Sequence, residues 1–270
     1  MKKATTLLIL AVALLLNSCS SVPITGRKQL NLVSDQTVLQ SSLASYTSFM
    51  TSAKQANKIS TDKTKSAQVV RVGQKIAAAT EAYLKATGME SEIKNFAWEF
   101  NLVKSDEMNA WCMPGGKIVV YEGIMKIVGS DDDLAVVLGH EVAHAVAKHA
   151  NERMSQQVAA QAGAQVLAGV LSGQSYQTQA MAQQVYGLGA QYGVMQPFSR
   201  KHESEADKMG LVLMTIAGYN PQNAITFWQK MNANSQTKIP EFMSSHPSHE
   251  TRIKDLTKWV PEVLKQYRGK

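Results

Sequence analysis

Gly139-His140-Glu141-Val142-Ala143-His144 is the stretch on which the reading of this chain turns. Two histidines four residues apart on a helix share one face, about one turn from each other. Both imidazoles can therefore reach a single ion. Glu141, beside the first histidine, is placed to draw a proton from a water at that ion. H-E-x-x-H on a helix is the pattern of a zinc site with the Glu as general base. The surroundings favour a helix. Asp131-Asp132-Asp133 precede the motif, and acidic residues suit a helix N-terminus. From Leu134 to His149 there is no Pro, and Gly139 is the sole Gly. Leu134, Val137, Leu138 and Val142 recur at helical spacing, so the expectation is a helix over 134–149 with one side buried. The competing reading is a pair of hydrogen-bonded core histidines.

Catalytic zinc usually keeps three protein ligands and one open position, so a third donor is needed. Ser199-Arg200-Lys201-His202-Glu203-Ser204-Glu205-Ala206-Asp207 supplies candidates. Glu203 and Asp207 are four apart and project from one helix face. Glu203 would complete a His140, His144, Glu203 set. Asp207 would sit behind it and accept the far N–H of a ligand histidine, His140 for preference, which fixes the tautomer and raises ligand basicity. Glu205 and His202 point elsewhere around a helix of 3.6 residues per turn. The bland alternative is a solvated acidic face balanced by Arg200, Lys201 and Lys208.

With these segments in place the chain resembles the M48 family of zinc metallopeptidases, which are gluzincins. Four stretches carry the likeness: Asn109-Ala110-Trp111-Cys112-Met113-Pro114-Gly115-Gly116, then Gly139 to His144, then Ser199 to Asp207, then His246-Pro247 with Arg252. They cover roughly 98–255 in the family's order and spacing. The resemblance implies an α+β, mostly helical fold with a small sheet beside the H-E-x-x-H helix. It also implies one zinc ion per chain and endopeptidase activity in the quality control of envelope proteins. His246 is then expected near the metal, either donating to the oxyanion at the scissile carbonyl or capping the open zinc position at rest. Arg252 is expected to stabilise the same region or the carboxyl side of the substrate. For both, the plain alternative is a helix-start residue and a surface Arg.

The N-terminus speaks of export. Lys2 and Lys3 precede an unbroken apolar run, Leu7 to Leu16. That run is too short for a spanning helix, which needs ~20 residues, and suits a secretory signal. Leu16-Asn17-Ser18-Cys19 resembles a bacterial lipobox, although Asn17 is not the commonest residue there. Residues 1–18 then read as a signal peptide, Cys19 as the lipid attachment point, and 19–36 as an exposed tether. Residues 37–270 read as one metallopeptidase domain. Ser20 after the Cys resembles the sorting pattern for an outer-membrane anchor facing the periplasm. The formal net charge is +7, and Lys2 and Lys3 account for two of those charges. The remaining mild excess suits loose attraction to anionic lipid and, with no long Lys/Arg run, gives no case for nucleic acid. Cys112 is the one thiol left after Cys19, which excludes a disulfide within the processed chain and reads as a small apolar filler.

Along the chain, 35–60 and 64–87 read as helices, with Gly88 stopping the second. Phe96, Trp98, Phe100 and Leu102 alternate, which is a strand signal. Asn109 to Met113 and Lys117 to Tyr121 flank Pro114-Gly115-Gly116 as a hairpin. In a protease of this type the strand carrying Asn109, Ala110 and Trp111 would be an exposed edge, open to a substrate in extended form. Trp111 is then either a pocket wall or core. The Ala, Gln and Gly-rich stretch 151–196 reads as a helical hairpin. It could be a bundle helix packed on the catalytic helix, a mobile flap, or a surface that leans on a membrane or a partner.

The expected function is a zinc endopeptidase anchored by lipid at the bacterial envelope, cleaving unfolded or misassembled envelope proteins, with an envelope assembly machinery as a further partner. The alternative is a chaperone-like envelope assembly factor with gated or minor proteolysis. A zinc hydrolase of cell-wall peptide fits the edge strand less well.

Overall fold

The structure, a computed structural model, describes residues 19–234 and 251–269. The signal segment 1–18 and His246 lie outside the described residues. The chain divides into two compact units. One holds the segments up to Val38 and Lys148–Ser199; the other holds Leu39–Ala147 and Arg200–Lys270.

The second unit carries the motif. Helix α1 (Asp35–Gln55) leads to α2 (Lys63–Ala86) and a single turn, α3 (Glu90–Ile93). Asp62 caps α2, accepting the Lys65 N–H at 2.9 Å, and Gly88 ends it at φ +72°, the left-handed turn that glycine favours. Strands β3 (Glu99–Val103), β4 (Ala110–Met113) and β5 (Lys117–Tyr121) follow. The sheet order is β3-β5-β4, with β3 parallel and β4 antiparallel to β5. Pro114-Gly115-Gly116 makes the expected hairpin turn, both glycines at positive φ. The β3 strand is shorter than the alternation from Phe96 suggests. Phe96 and Trp98 instead stack face to face at 4.6 Å ahead of it.

Helix α4 (Asp131–Val146) contains the motif. Its cap is Ser130, which accepts the Asp133 N–H at 3.1 Å, with the three aspartates in the first turn. It ends at Val146, before the expected His149, because Lys148 takes a left-handed φ of 53° and breaks the run. The expectation of one buried side was too modest. Every residue from Asp133 to Val146 is buried, since α4 packs against α2, β4 and helix α8 (Asn223–Asn234). A helix apolar on several sides is a core helix, and here the polar exceptions are Asp133 and the motif residues His140, Glu141 and His144. Helix α7 (Gln196–Ile216) crosses α4 at a glycine pair. A Cβ on Gly139 would lie 3.0 Å from the Gly210 carbonyl oxygen, and one on Gly210 would lie 2.9 Å from the His140 nitrogen. Two bare Cα positions therefore allow the backbones to meet beside His140. Helix α9 (Arg252–Tyr267) packs on α8.

The first unit takes in residues 19–36, read from the sequence as an exposed tether, together with part of the 37–270 span. Residues 19–36 include a two-stranded hairpin, β1 (Cys19–Ser21) with β2 (Lys28–Leu30). That hairpin is fastened to helix α5 (His149–Val170). Arg27 donates twice to Glu152, at 2.9 and 2.7 Å, and the Leu32 and Val33 N–H groups donate to Ser155 Oγ. Such a fork-to-carboxylate pair with Glu152 buried is an anchoring contact, which a polar linker composition did not advertise. Helix α6 (Tyr176–Leu188) returns along α5 and continues as a π-helical stretch, Gly189–Met195. The helical hairpin is as expected. The buried residues of α5 all fall in its first two turns, and α6 has none.

Candidate metal centre

His140 and His144 sit one turn apart in the buried middle of α4, and Glu203 reaches them from α7. His140 Nε2 and His144 Nε2 are 3.1 Å apart. Glu203 Oε2 lies 3.3 Å from the first nitrogen and Oε1 3.4 Å from the second. Donors about 2.0–2.1 Å from a tetrahedral zinc are separated from one another by about 3.3–3.4 Å. The three side chains thus outline one triangular face of such a site, and two nitrogens with one carboxylate form a donor set suited to zinc. Among the described residues, this trio is the group of His, Cys, Asp and Glu that could hold a metal ion. Glu205 and His202 are buried too but lie outside it, as the helix rotation requires. The acidic run is accordingly not a solvated face.

Behind the trio the polar groups interlock. Asp207 Oδ1 is 2.9 Å from His140 Nδ1, which leaves Nε2 to face the metal position. Arg252, only 1 % exposed, donates from Nε to Asp207 Oδ2 at 2.5 Å and from Nη2 to Asp207 Oδ1 at 3.2 Å and Glu203 Oε2 at 3.3 Å. Its guanidinium lies 3.7 Å from the centre of the Trp228 ring, a cation–π contact in a dry setting. Trp228 meets His140 edge-on at 6.2 Å. Among the roles expected for Arg252, these contacts fit support of the metal-side carboxylates. Trp228 was missed. Its only sequence signal is the apolar spacing Ala224, Phe227, Trp228, Met231, and these residues are buried alike.

The electrostatics follow from this packing. Burial opposes the charged form of His140, but Asp207 and Glu203 outweigh it and hold the imidazole's pKa up to about 10. His140, His144 and Glu203 would hold a metal ion only with this imidazole deprotonated. Burial also pushes the Asp207 carboxyl up, and Arg252 with His140 outweighs it, so the group stays below the ordinary carboxylate range. Glu141 is buried next to His140. The Cys112 thiol is pushed well up, first by burial and then by the charge of Glu141, so Cys112 stays a neutral filler and Glu141 lies within electrostatic reach of β4.

That strand is the edge of its sheet and packs on α4. Successive residues of a strand face opposite sides. Trp111 points to the side of α1, edge-on to Phe49 at 5.0 Å and to Tyr46 at 6.3 Å. It is half-buried and packs against the cluster of Tyr46, Met50, Val103 and Val119. At the start of the strand the Tyr121 N–H donates to the Asn109 carbonyl at 3.0 Å.

Known proteins are similar to this chain in sequence. A family model described as peptidase family M48 matches residues 63–260, a span that holds every residue of the centre. The mitochondrial metalloendopeptidase OMA1 of Schizosaccharomyces pombe is 33 % identical over 64 % of this chain and 50 % of its own length. The human mitochondrial metalloendopeptidase OMA1 is 30 % identical over 90 % of this chain and 46 % of its own length. The beta-barrel assembly-enhancing protease of Yersinia pestis is 31 % identical over 58 % of this chain and 33 % of its own length. The chain thus spans half or less of these relatives. With the family model covering most of the sequence, the chain belongs to peptidase family M48, a family of zinc-dependent metallopeptidases.

Proposed function

We propose that the protein is a zinc-dependent endopeptidase tethered by lipid at a bacterial envelope membrane, acting on unfolded or misassembled envelope proteins. The observation that carries the reading is the 3.1–3.4 Å triangle of His140, His144 and Glu203 donors with Glu141 beside it on α4. These three residues would hold the ion. When bound, zinc supplies Lewis acidity, polarising a carbonyl and acidifying a water. Glu141 takes the proton of the attacking water and passes it to the leaving amine. Asp207 keeps His140 in the tautomer that presents Nε2, and Arg252 holds Asp207 and Glu203 in register. Edge strand β4 gives an extended polypeptide a backbone ladder to join, which is tolerant of sequence. His246 would act from outside the described residues, as oxyanion donor or as cap of the open position.

The anchoring part rests on Lys2, Lys3, Leu7–Leu16 and the lipobox-like Leu16-Asn17-Ser18-Cys19. Among the described residues, no helix is long and apolar enough to cross a membrane. One relative is named for beta-barrel assembly, and others are named mitochondrial. The export signal favours the former, with an outer-membrane anchor facing the periplasm. The test measures zinc per chain and cleavage of casein, with and without chelator. About one zinc per chain and chelator-sensitive cleavage are expected. Zinc-free protein that cleaves at full rate would sink the reading.

A further inference from the structure

We infer that the α5–α6 hairpin is a lipid-contact element, lying in the membrane interface beside the attachment point at Cys19. The inference rests on the anchoring proposed above. Nearly all large apolar side chains that stand exposed in the described residues belong to this hairpin and the π-helical stretch after it, Leu32 being the exception. Met181, Val185 and Leu188 recur at i, i+4 and i+7, one face of a helix, and are 68 %, 65 % and 48 % exposed. Tyr192 extends the stripe at 58 %. Val166 and Val170 stand out from α5, and Tyr176 from the start of α6. Soluble chains rarely leave so continuous an apolar surface bare.

What covers it follows from charge and from connectivity. From Met154 to Ser199 there is no Asp, Glu, Lys, Arg or His. Helices that choose a protein partner usually carry charges flanking their apolar seam, and none exist here. A lipid layer needs no such code. Tyr176 and Tyr192 are amphipathic side chains suited to the headgroup level, and the many Gln side chains keep the rest of each helix hydrated. Neither helix is apolar enough to span, so the element would lie in the interface plane. The connectivity brings the lipid to it. Cys19 pairs with Leu30 in the β1–β2 hairpin, and β2 packs on α5, locked by the Arg27–Glu152 pair. Leu30 also lines an apolar cavity of about 690 Å³ with Ala159, Tyr186, Val194 and Met195. Position 19 therefore belongs to the same unit that exposes the stripe.

The test uses the full chain purified from membranes and placed in phosphatidylcholine vesicles doped with a photoreactive acyl lipid. After irradiation, lipid adducts are mapped by peptide mass spectrometry. Adducts within 176–195 are expected, unchanged by high salt because no charge contributes. The double substitution Met181→Glu with Val185→Glu should lower them about tenfold while zinc content stays the same, both positions being exposed. A lipid-free hairpin in a wild type whose Cys19 peptide carries the lipid mass would overturn the inference and leave the anchor standing. A wild-type dimer in detergent that the double substitution makes monomeric, with no adducts, would assign the stripe to a second copy. Adducts in the hairpin with no lipid mass on Cys19 would remove the proposed anchor and keep the hairpin.

Discussion

The metal-centre unit and the α5–α6 hairpin treat polar and apolar side chains in opposite ways. The first buries His140, His144, Glu203, Asp207 and Arg252, at a desolvation cost that only complete pairing offsets. The second leaves Val166, Met181 and Val185 in the open and holds no charge from Met154 to Ser199. Buried charges demand one arrangement, because each misplaced partner leaves an uncompensated ion. An uncharged, exposed hairpin demands little of its own fold and leaves its specificity to whatever covers it. The two regions should respond to substitution accordingly.

The largest contrast lies in activity. Glu141→Gln is expected to keep zinc, since Glu141 is not one of the three donors, and to lower casein cleavage by about 10²–10⁴-fold. Zinc content and turnover measured on one preparation check it, and retained turnover would break the assignment of the base. Next comes Arg252→Met. It strands Asp207 and Glu203 without their cation, and breaking a buried pair costs about 3–5 kcal/mol. Thermal unfolding should show a clearly lowered Tm. A shift no larger than that of a surface substitution would mean the buried network is not the stabilising feature of this unit.

Asp207→Ala should weaken zinc affinity by about 10–100-fold, the usual effect of removing the group behind a ligand histidine, whereas Glu203→Ala should abolish stoichiometric binding and Glu205→Ala should spare it. Competition with a chelator of known affinity separates the three. If Glu205→Ala strips the ion and Glu203→Ala does not, the register of α7 is wrong. The smallest effect belongs to the hairpin. Val166→Gln and Met181→Gln, alone or together, should change stability in detergent-free solution by no more than about 0.5 kcal/mol. A large loss there would show that the stripe packs within the chain and would erase the contrast.

The sequence by itself determined the centre in good part. H-E-x-x-H names two donors and a base through helical periodicity alone, and the four-residue spacing of Glu203 and Asp207 places both on one face, because a helix repeats its faces regardless of context. The order and spacing of four segments identified the family, and the turn chemistry of Pro114-Gly115-Gly116 marked the hairpin that makes β4. Long-range packing decided the rest. The partnership of Arg252 with Trp228 joins residues on separate helices, and the meeting of Gly139 with Gly210 joins two more; no local pattern links such positions. The packing of Trp111 against Phe49 and Tyr46 became visible only once strand alternation was tied to α1. Residues 19–36 resembled a tether because their polar composition carries no apolar periodicity, yet Glu152 and Ser155, more than a hundred residues on, hold them in place through charge-assisted and backbone hydrogen bonds. Local periodicity reports which way a side chain points; only the assembled chain supplies what it points at.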